Sequence, residues 1–200
     1  MVERITFVRH GSLPVEHSKD LVGVCDVPLS GQGRAEAAAA GRWLAKECAD
    51  CDAVYAGTLR RVCETLALAR EYALNLPAEK VDSRLNEMDF GEWSFTPAVL
   101  HPPESWRCGD PEYTFPGGER IGGFIERTRG FLDELMASDC RHPVVFSHGG
   151  VIMALLADLI GLERAHQFNI WVARGAVAEV DIAAGRPRLR RIFRPLDFFA

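Results

Sequence analysis

Apolar positions along the chain fall into two kinds of pattern. Short β-rich runs, ITFV at residues 5–8, DAVYA at 52–56 and PVVFS at 143–147, predict buried strands. Between them lie stretches with helical spacing. Residues 30–48 have an alanine-rich body behind Ser30, a residue suited to an N-cap. Residues 58–73 place Leu59, Val62, Leu66 and Ala69 on one face. Residues 119–138 and 149–161 repeat the helical pattern, the second closed by Gly161. The extended stretch NLPAEKVDSRLNEM holds a short strand near Lys80 and Val81, and GAVAEVDIAAGRPRLRRIF predicts two strands around an Ala-Gly-Arg turn. Strands alternating with helices imply an α/β fold with a mostly parallel sheet.

One segment breaks the pattern. Residues 90–118 carry Pro97, Pro102, Pro103, Pro111 and Pro116 among the aromatics Phe90, Trp93, Phe95, Trp106, Tyr113 and Phe115. A long irregular stretch inside a compact domain is usually a lid or binding loop, so a lid or substrate segment is expected here, within one domain spanning residues 1–200.

Composition narrows the function classes. The chain has 200 residues, 48% of them hydrophobic and 26% charged, with a net charge of -5. A mildly acidic protein does not bind nucleic acid by bulk charge, and a small anionic substrate would need a local cationic pocket. No apolar run approaches the ~18 residues of a membrane helix, and no signal peptide is read, so a cytoplasmic protein without a membrane partner is expected. Cys48 and Cys51 form a C-x-x-C where a helix should end, whereas a redox dithiol opens one. No second pair completes a zinc site, so these thiols are read as structural or incidental, and no metal or cofactor is expected. Monomer and homodimer both remain open.

In open α/β sheets, ligands gather at the carboxyl ends of strands. His10 follows the first strand and His148 follows PVVFS. If those strands are neighbours, the two imidazoles can meet. The blocks VRHG, GVCDVPLSGQGRAEA, YAGTLRRVCET, RLNEMDFGEW, PGGER and VVFSHGG occur in this order. Together they resemble the histidine phosphatase superfamily, also called phosphoglycerate mutase-like, over nearly the whole chain.

The resemblance implies a three-layer α/β/α sandwich and a metal-independent phosphomonoesterase that works through a phosphohistidine. It assigns His10 as the nucleophile, attacking as a neutral imidazole whose other nitrogen is held by a hydrogen bond. Arg9 and Arg61 would clamp phosphoryl oxygens, a role for which the planar guanidinium fork is suited. Of the adjacent pair, Arg61 matches the family pattern and Arg60 is left to solvent. His148 would donate to the phosphoryl oxygens, and the N–H of Gly149 opens the next helix as an anion site. Glu87 would protonate the leaving alkoxide and then activate water.

The departures are local. After R-H-G the family commonly has Glu, Thr and then Asn; here those places hold Ser12, Leu13 and Glu16, and the usual Ser before the arginine block is Gly57. Ser12 or a backbone amide is the expected replacement contact. The mutases read L-N-E-R-H-Y-G, with Arg holding the carboxylate of phosphoglycerate. Met88 and Asp89 stand there instead, which favours a phosphatase. LNEMDFGEW looks like the alpha-ribazole phosphatase branch, which implies a small phosphate ester such as alpha-ribazole 5'-phosphate. A phosphoglycerate mutase-type phosphotransferase and a non-catalytic phospho-ligand binder are the alternatives. An aromatic substrate would need stacking surface, for which Phe90, Trp93, Phe95 and Trp106 are candidates. Glu119 is read as an early-helix residue favoured by the helix dipole.

Overall fold

A computed structural model describes residues 1–101, 110–163, 166 and 169–199. In chain order it contains β1 (Arg4–Arg9), β2 (Asp20–Leu21), α1 (Gly31–Glu47), β3 (Ala53–Ala56), α2 (Arg60–Arg70), β4 (Glu79–Val81) and β5 (Thr96–Pro97). These are followed by α3 (Ile121–Ala137), β6 (Pro143–Ser147), α4 (Gly149–Ile160), β7 (Val177–Ala183), β8 (Arg186–Phe193) and α5 (Leu196–Phe199). The main sheet has the order β4-β3-β6-β1-β7-β8, and β2 pairs with β5 separately. β4, β3, β6 and β1 run parallel, whereas β7 and β8 are antiparallel additions at one side.

Side-chain alternation along the strands divides the core into two layers. Ile5 and Phe7 of β1 and Val145 of β6 face α3 and α4, where Phe124, Phe131, Ile152 and Leu155 are buried. Val8, Val144 and Phe146 face the other way, onto Trp43 and Leu44 of α1 and Val62 and Leu66 of α2. The result is an α/β/α sandwich. The central strands are apolar on both faces, as parallel strands covered by helices must be.

The local signals account for most boundaries. Ser30 caps α1, its hydroxyl oxygen accepting from Gly33 N at 3.0 Å. α2 begins at Arg60 rather than residue 58, because its cap comes from elsewhere in the chain. Asp26 Oδ1 accepts from Arg60 N at 2.7 Å, while Thr58 N is held by Asn86 Oδ1 at 2.8 Å. The strand expected from residue 175 starts at Val177, and the preceding residues form a loop across the carboxyl end of β1. Cys48 and Cys51 are buried, and burial pushes their thiols up to about 12 and about 11. Both are therefore un-ionised at neutral pH, consistent with a packing role. No helix among the described residues is long and apolar enough to cross a membrane.

Candidate active site

Strand register assembles the site. In the parallel β1–β6 pair, Arg9 lies opposite Ser147, so the next residues, His10 and His148, emerge side by side. Their ring centroids are 5.2 Å apart. His148 also serves as the N-cap residue of α4. A cavity of about 170 Å³ opens here, lined by Arg9, His10, Arg61, Glu87, Gly149 and Gly150 together with Asp20, Trp171 and Arg174. Its apolar wall includes Leu13, Leu21, Val22, Met88, Phe90 and Met153. Every residue of the expected catalytic set is therefore in one place.

Hydrogen bonding fixes the state of both imidazoles. His10 Nδ1 lies 2.8 Å from the carbonyl oxygen of Gly11, which can only accept, so Nδ1 carries the proton and Nε2 keeps its lone pair. Arg61 Nε donates to His148 Nδ1 at 3.2 Å, which puts the His148 proton on Nε2. That Nε2 is buried with no hydrogen-bond partner among the described residues. One ring thus offers a lone pair and its neighbour offers a donor.

Burial, and then the charges of Arg61 and Arg9, push His10 well below its ordinary proton affinity. His148 is lowered in the same direction, by burial first and then by Arg61. Both rings are neutral at physiological pH. The unfolded chain binds these two protons below about pH 6.5 and the folded chain does not. Their contribution to stability is complete above that pH and is lost as the pH falls towards their folded values. The expected slope is up to about 1.4 kcal/mol per histidine per pH unit. Urea unfolding at pH 7.5 and 5.5 checks this, and the slope should shrink by about one proton in His148→Gln.

Two guanidiniums stand beside the rings, and a third, that of Arg174, lines the same cavity. Arg61 is 1% exposed, its NH1 and NH2 donating to the carbonyls of Cys25 at 2.7 Å and Gly23 at 2.5 Å. Arg9 donates to the carbonyl of Val172 and lies 6.0 Å from the Trp171 ring centroid. Burial pushes both guanidiniums down to about 10, which leaves them cationic at neutral pH. Arg60 is exposed and pairs with Glu64 at 2.7 Å, away from the cavity.

Glu87 is held from two sides. Its Oε2 accepts from Gly150 N at 3.1 Å and its Oε1 from Met88 N at 3.1 Å. Arg127 of α3 braces the backbone beneath it, donating to the carbonyls of Arg84, Asn86 and Glu87. Glu119 holds that arginine at 2.7 Å. This corrects the expected role of Glu119: it precedes α3 and works through an ion pair rather than the helix dipole. The adjacent glycines have a steric purpose. A Cβ at Gly149 would lie 2.7 Å from Arg9 Cζ, and one at Gly150 would lie 2.4 Å from Glu87 Oε1.

Three expected substrate contacts, Ser12, Trp93 and Phe95, are placed elsewhere. Ser12 is committed to Glu36: its N donates to Oε2 at 2.7 Å and its hydroxyl to Oε1 at 3.0 Å. Glu36 is 2% exposed and also takes a bond from Arg194 at 3.1 Å, so a buried carboxylate consumes the polar groups of Ser12. Trp93 stacks on His101, with centroids 3.9 Å apart, and packs edge-on to Phe115; it is absent from the cavity lining. Phe95 lies against His17. Phe90 does line the cavity, and Trp106 lies outside the described residues. Trp171, Arg174 and Arg127 escaped the sequence reading. The first two lie just before the run from Gly175 that reads as strand, and Arg127 falls within the helix expected over 119–138.

This architecture is the phosphoglycerate mutase-like fold. The chain belongs to the histidine phosphatase superfamily (branch 1), whose family model matches residues 5–194. It is similar to an adenosylcobalamin/alpha-ribazole phosphatase of Salmonella typhimurium (strain LT2), at 29% identity over 96% of this chain and 99% of that one. A 2,3-bisphosphoglycerate-dependent phosphoglycerate mutase of Hamiltonella defensa is 38% identical over 89% of this chain and 86% of its own. Among solved structures, a putative alpha-ribazole-5'-P phosphatase from Escherichia coli K-12 superposes with a TM-score of 0.81 at 25% identity, covering 95% of both chains.

Proposed function

We propose that the protein is a metal-independent phosphomonoesterase that works through a phosphohistidine at His10. The observation that carries this reading is the complementary state of the two buried rings, a lone pair on His10 Nε2 beside an unpartnered N–H on His148. In the first step Nε2 attacks phosphorus and the bond from phosphorus to the alcohol oxygen breaks. Glu87 gives its proton to the departing alkoxide. Arg9, Arg61 and His148 hold the non-bridging oxygens while charge redistributes among them. In the second step Glu87 takes a proton from water, the resulting hydroxide attacks phosphorus, and the P–N bond breaks to release inorganic phosphate. The guanidiniums supply the charge that a metal ion supplies in other phosphoryl-transfer sites, so excess chelator should leave the rate unchanged.

Placement of Glu87 is expected to matter sharply. In Gly150→Ala the new methyl group meets the end of a flexible side chain, so the carboxylate swings away and the fold survives. A misplacement of about 1 Å costs on the order of 10²-fold in kcat. Steady-state kinetics with a melting curve on the same sample separates lost catalysis from lost folding.

The cavity walls favour an ester with an apolar or planar alcohol half. Met88 is 2% exposed and lines the cavity at the place where a mutase would carry its carboxylate-binding arginine. Trp171 stands at the wall of the cavity, 75% exposed. Alpha-ribazole 5'-phosphate, with its benzimidazole, is the leading substrate. The second reading is a phosphoglycerate mutase, which similarity to the Hamiltonella enzyme favours. A panel of alpha-ribazole 5'-phosphate, phosphoserine and 3-phosphoglycerate, assayed with chelator, separates them. The account expects phosphate release with highest kcat/KM on the ribazole ester. Isomerisation of phosphoglycerate without phosphate release would establish the mutase reading instead.

A further inference from the structure

Arg174 has no place in the catalytic set derived from the sequence, yet the fold brings it to the nucleophile. β7 runs antiparallel to β1, and its register sets Val177 opposite Val8. The residues entering β7 therefore lie beside Arg9 and His10. Gly175 N donates to the carbonyl of His10 at 3.0 Å, and Arg9 N donates to that of Ala176 at 2.9 Å. The backbone just after Arg174 is thereby tied directly to the two residues at the heart of the site.

The side chain is half-buried and lines the same cavity as His10, Arg61 and Glu87. Its positive charge lowers the proton affinity of His10, Arg9 and Arg61 alike, which places it within electrostatic reach of all three. Its guanidinium makes a single hydrogen bond among the described residues, from NH2 to the carbonyl of His17 at 3.3 Å. Most of the donor fork is uncommitted. The segment after Gly11, meanwhile, presents only an apolar side chain, Leu13, to the cavity, since Ser12 is held by Glu36 and Glu16 is exposed.

The charge balance has the same sense. Arg9, Arg61 and Arg174 face two carboxylates at the cavity, Asp20 and Glu87. When Glu87 carries the proton destined for the leaving group, the surplus matches a phosphate dianion. We propose that Arg174 is a third phosphoryl-binding arginine, supplying from the β7 entry loop the polar contact that the Leu13 segment does not. The proposal rests on the phosphatase reading of the site. Its ligand is the phosphate group itself, not a second anionic group on the alcohol half.

The test uses Arg174→Met and Arg174→Lys in the full chain, with melting temperatures recorded to verify folding. Binding of inorganic phosphate is measured by calorimetry, independently of turnover. Arg174→Met should weaken phosphate binding about tenfold or more, the usual scale for a lost charge-assisted hydrogen bond. It should lower kcat/KM by a similar factor for every ester, including p-nitrophenyl phosphate, whose alcohol half carries no anion. Arg174→Lys should recover part of the loss. Unchanged phosphate affinity in Arg174→Met would overturn the proposal, as would a loss confined to esters with a second anionic group, or a wild-type protein that does not bind phosphate. If the wild type binds phosphate, the variant weakens it and no ester is hydrolysed, Arg174 keeps its assignment and the phosphatase reading falls.

Discussion

His10→Ala is expected to lower turnover of any phosphate ester by at least ~10⁴-fold, the scale seen when an enzyme loses its covalent nucleophile. Of the two imidazoles at the site, His10 contributes the free ring lone pair, because the neighbouring His148 presents an N–H. Among the other polar side chains described at the cavity, Asp20 is committed to His17 at 3.3 Å. Arg9 and Arg61 are cations, and Glu87 is held by the N–H groups of Gly150 and Met88. Phosphate binding, in contrast, should survive the substitution, since the guanidiniums and the His148 donor stay in place. Binding retained with catalysis lost marks a nucleophile. Turnover unchanged in His10→Ala would remove the covalent mechanism altogether.

Glu87→Gln is expected to cut kcat by about 10²–10⁴-fold on alkyl phosphates, the usual worth of a positioned general acid–base. The amide keeps the shape of the side chain and can still accept from Gly150 N, so the fold should be unaffected. The loss should depend on the leaving group. An alkoxide needs Glu87's proton as it departs, whereas p-nitrophenolate leaves readily without one. With p-nitrophenyl phosphate the first step should therefore be nearly normal, and the defect should move to hydrolysis of the phosphoenzyme. Pre-steady-state mixing would then show a burst of nitrophenolate followed by slow turnover. An equal loss for both kinds of ester, without a burst, would mean that Glu87 only positions other groups.

Much of this site could be read in the chain because its residues sit where secondary structure ends. His10 and His148 terminate apolar runs that must be buried strands, and the parallel β1–β6 register brings them together. What the sequence hid was carried by pairings distant along the chain. Ser12 looked free for substrate, but Glu36, 24 residues on, claims both its N–H and its hydroxyl. Arg127 looked like an ordinary helix surface residue. Its fork reaches three carbonyls of the segment that presents Glu87, a contact that no helical periodicity encodes. Trp171 and Arg174 lie just before the run from Gly175 that reads as strand, so no predicted element directs them to the site. The strand begins only at Val177, after the chain has crossed the cavity. Glu119 and Trp93 erred in the same way: local rules gave each a plausible role, and a partner elsewhere in the fold outweighed it.

The central claim is covalent, and it is tested by trapping the intermediate. The protein is mixed with a phosphate ester in excess chelator, quenched in alkali on the millisecond scale, and the phosphoryl group is located by peptide mass spectrometry. The account predicts an acid-labile phosphoramidate on His10, at no more than one per chain, formed at least as fast as turnover and absent from His10→Ala. Turnover with no phosphoenzyme, or with the phosphoryl group on another residue, would contradict it.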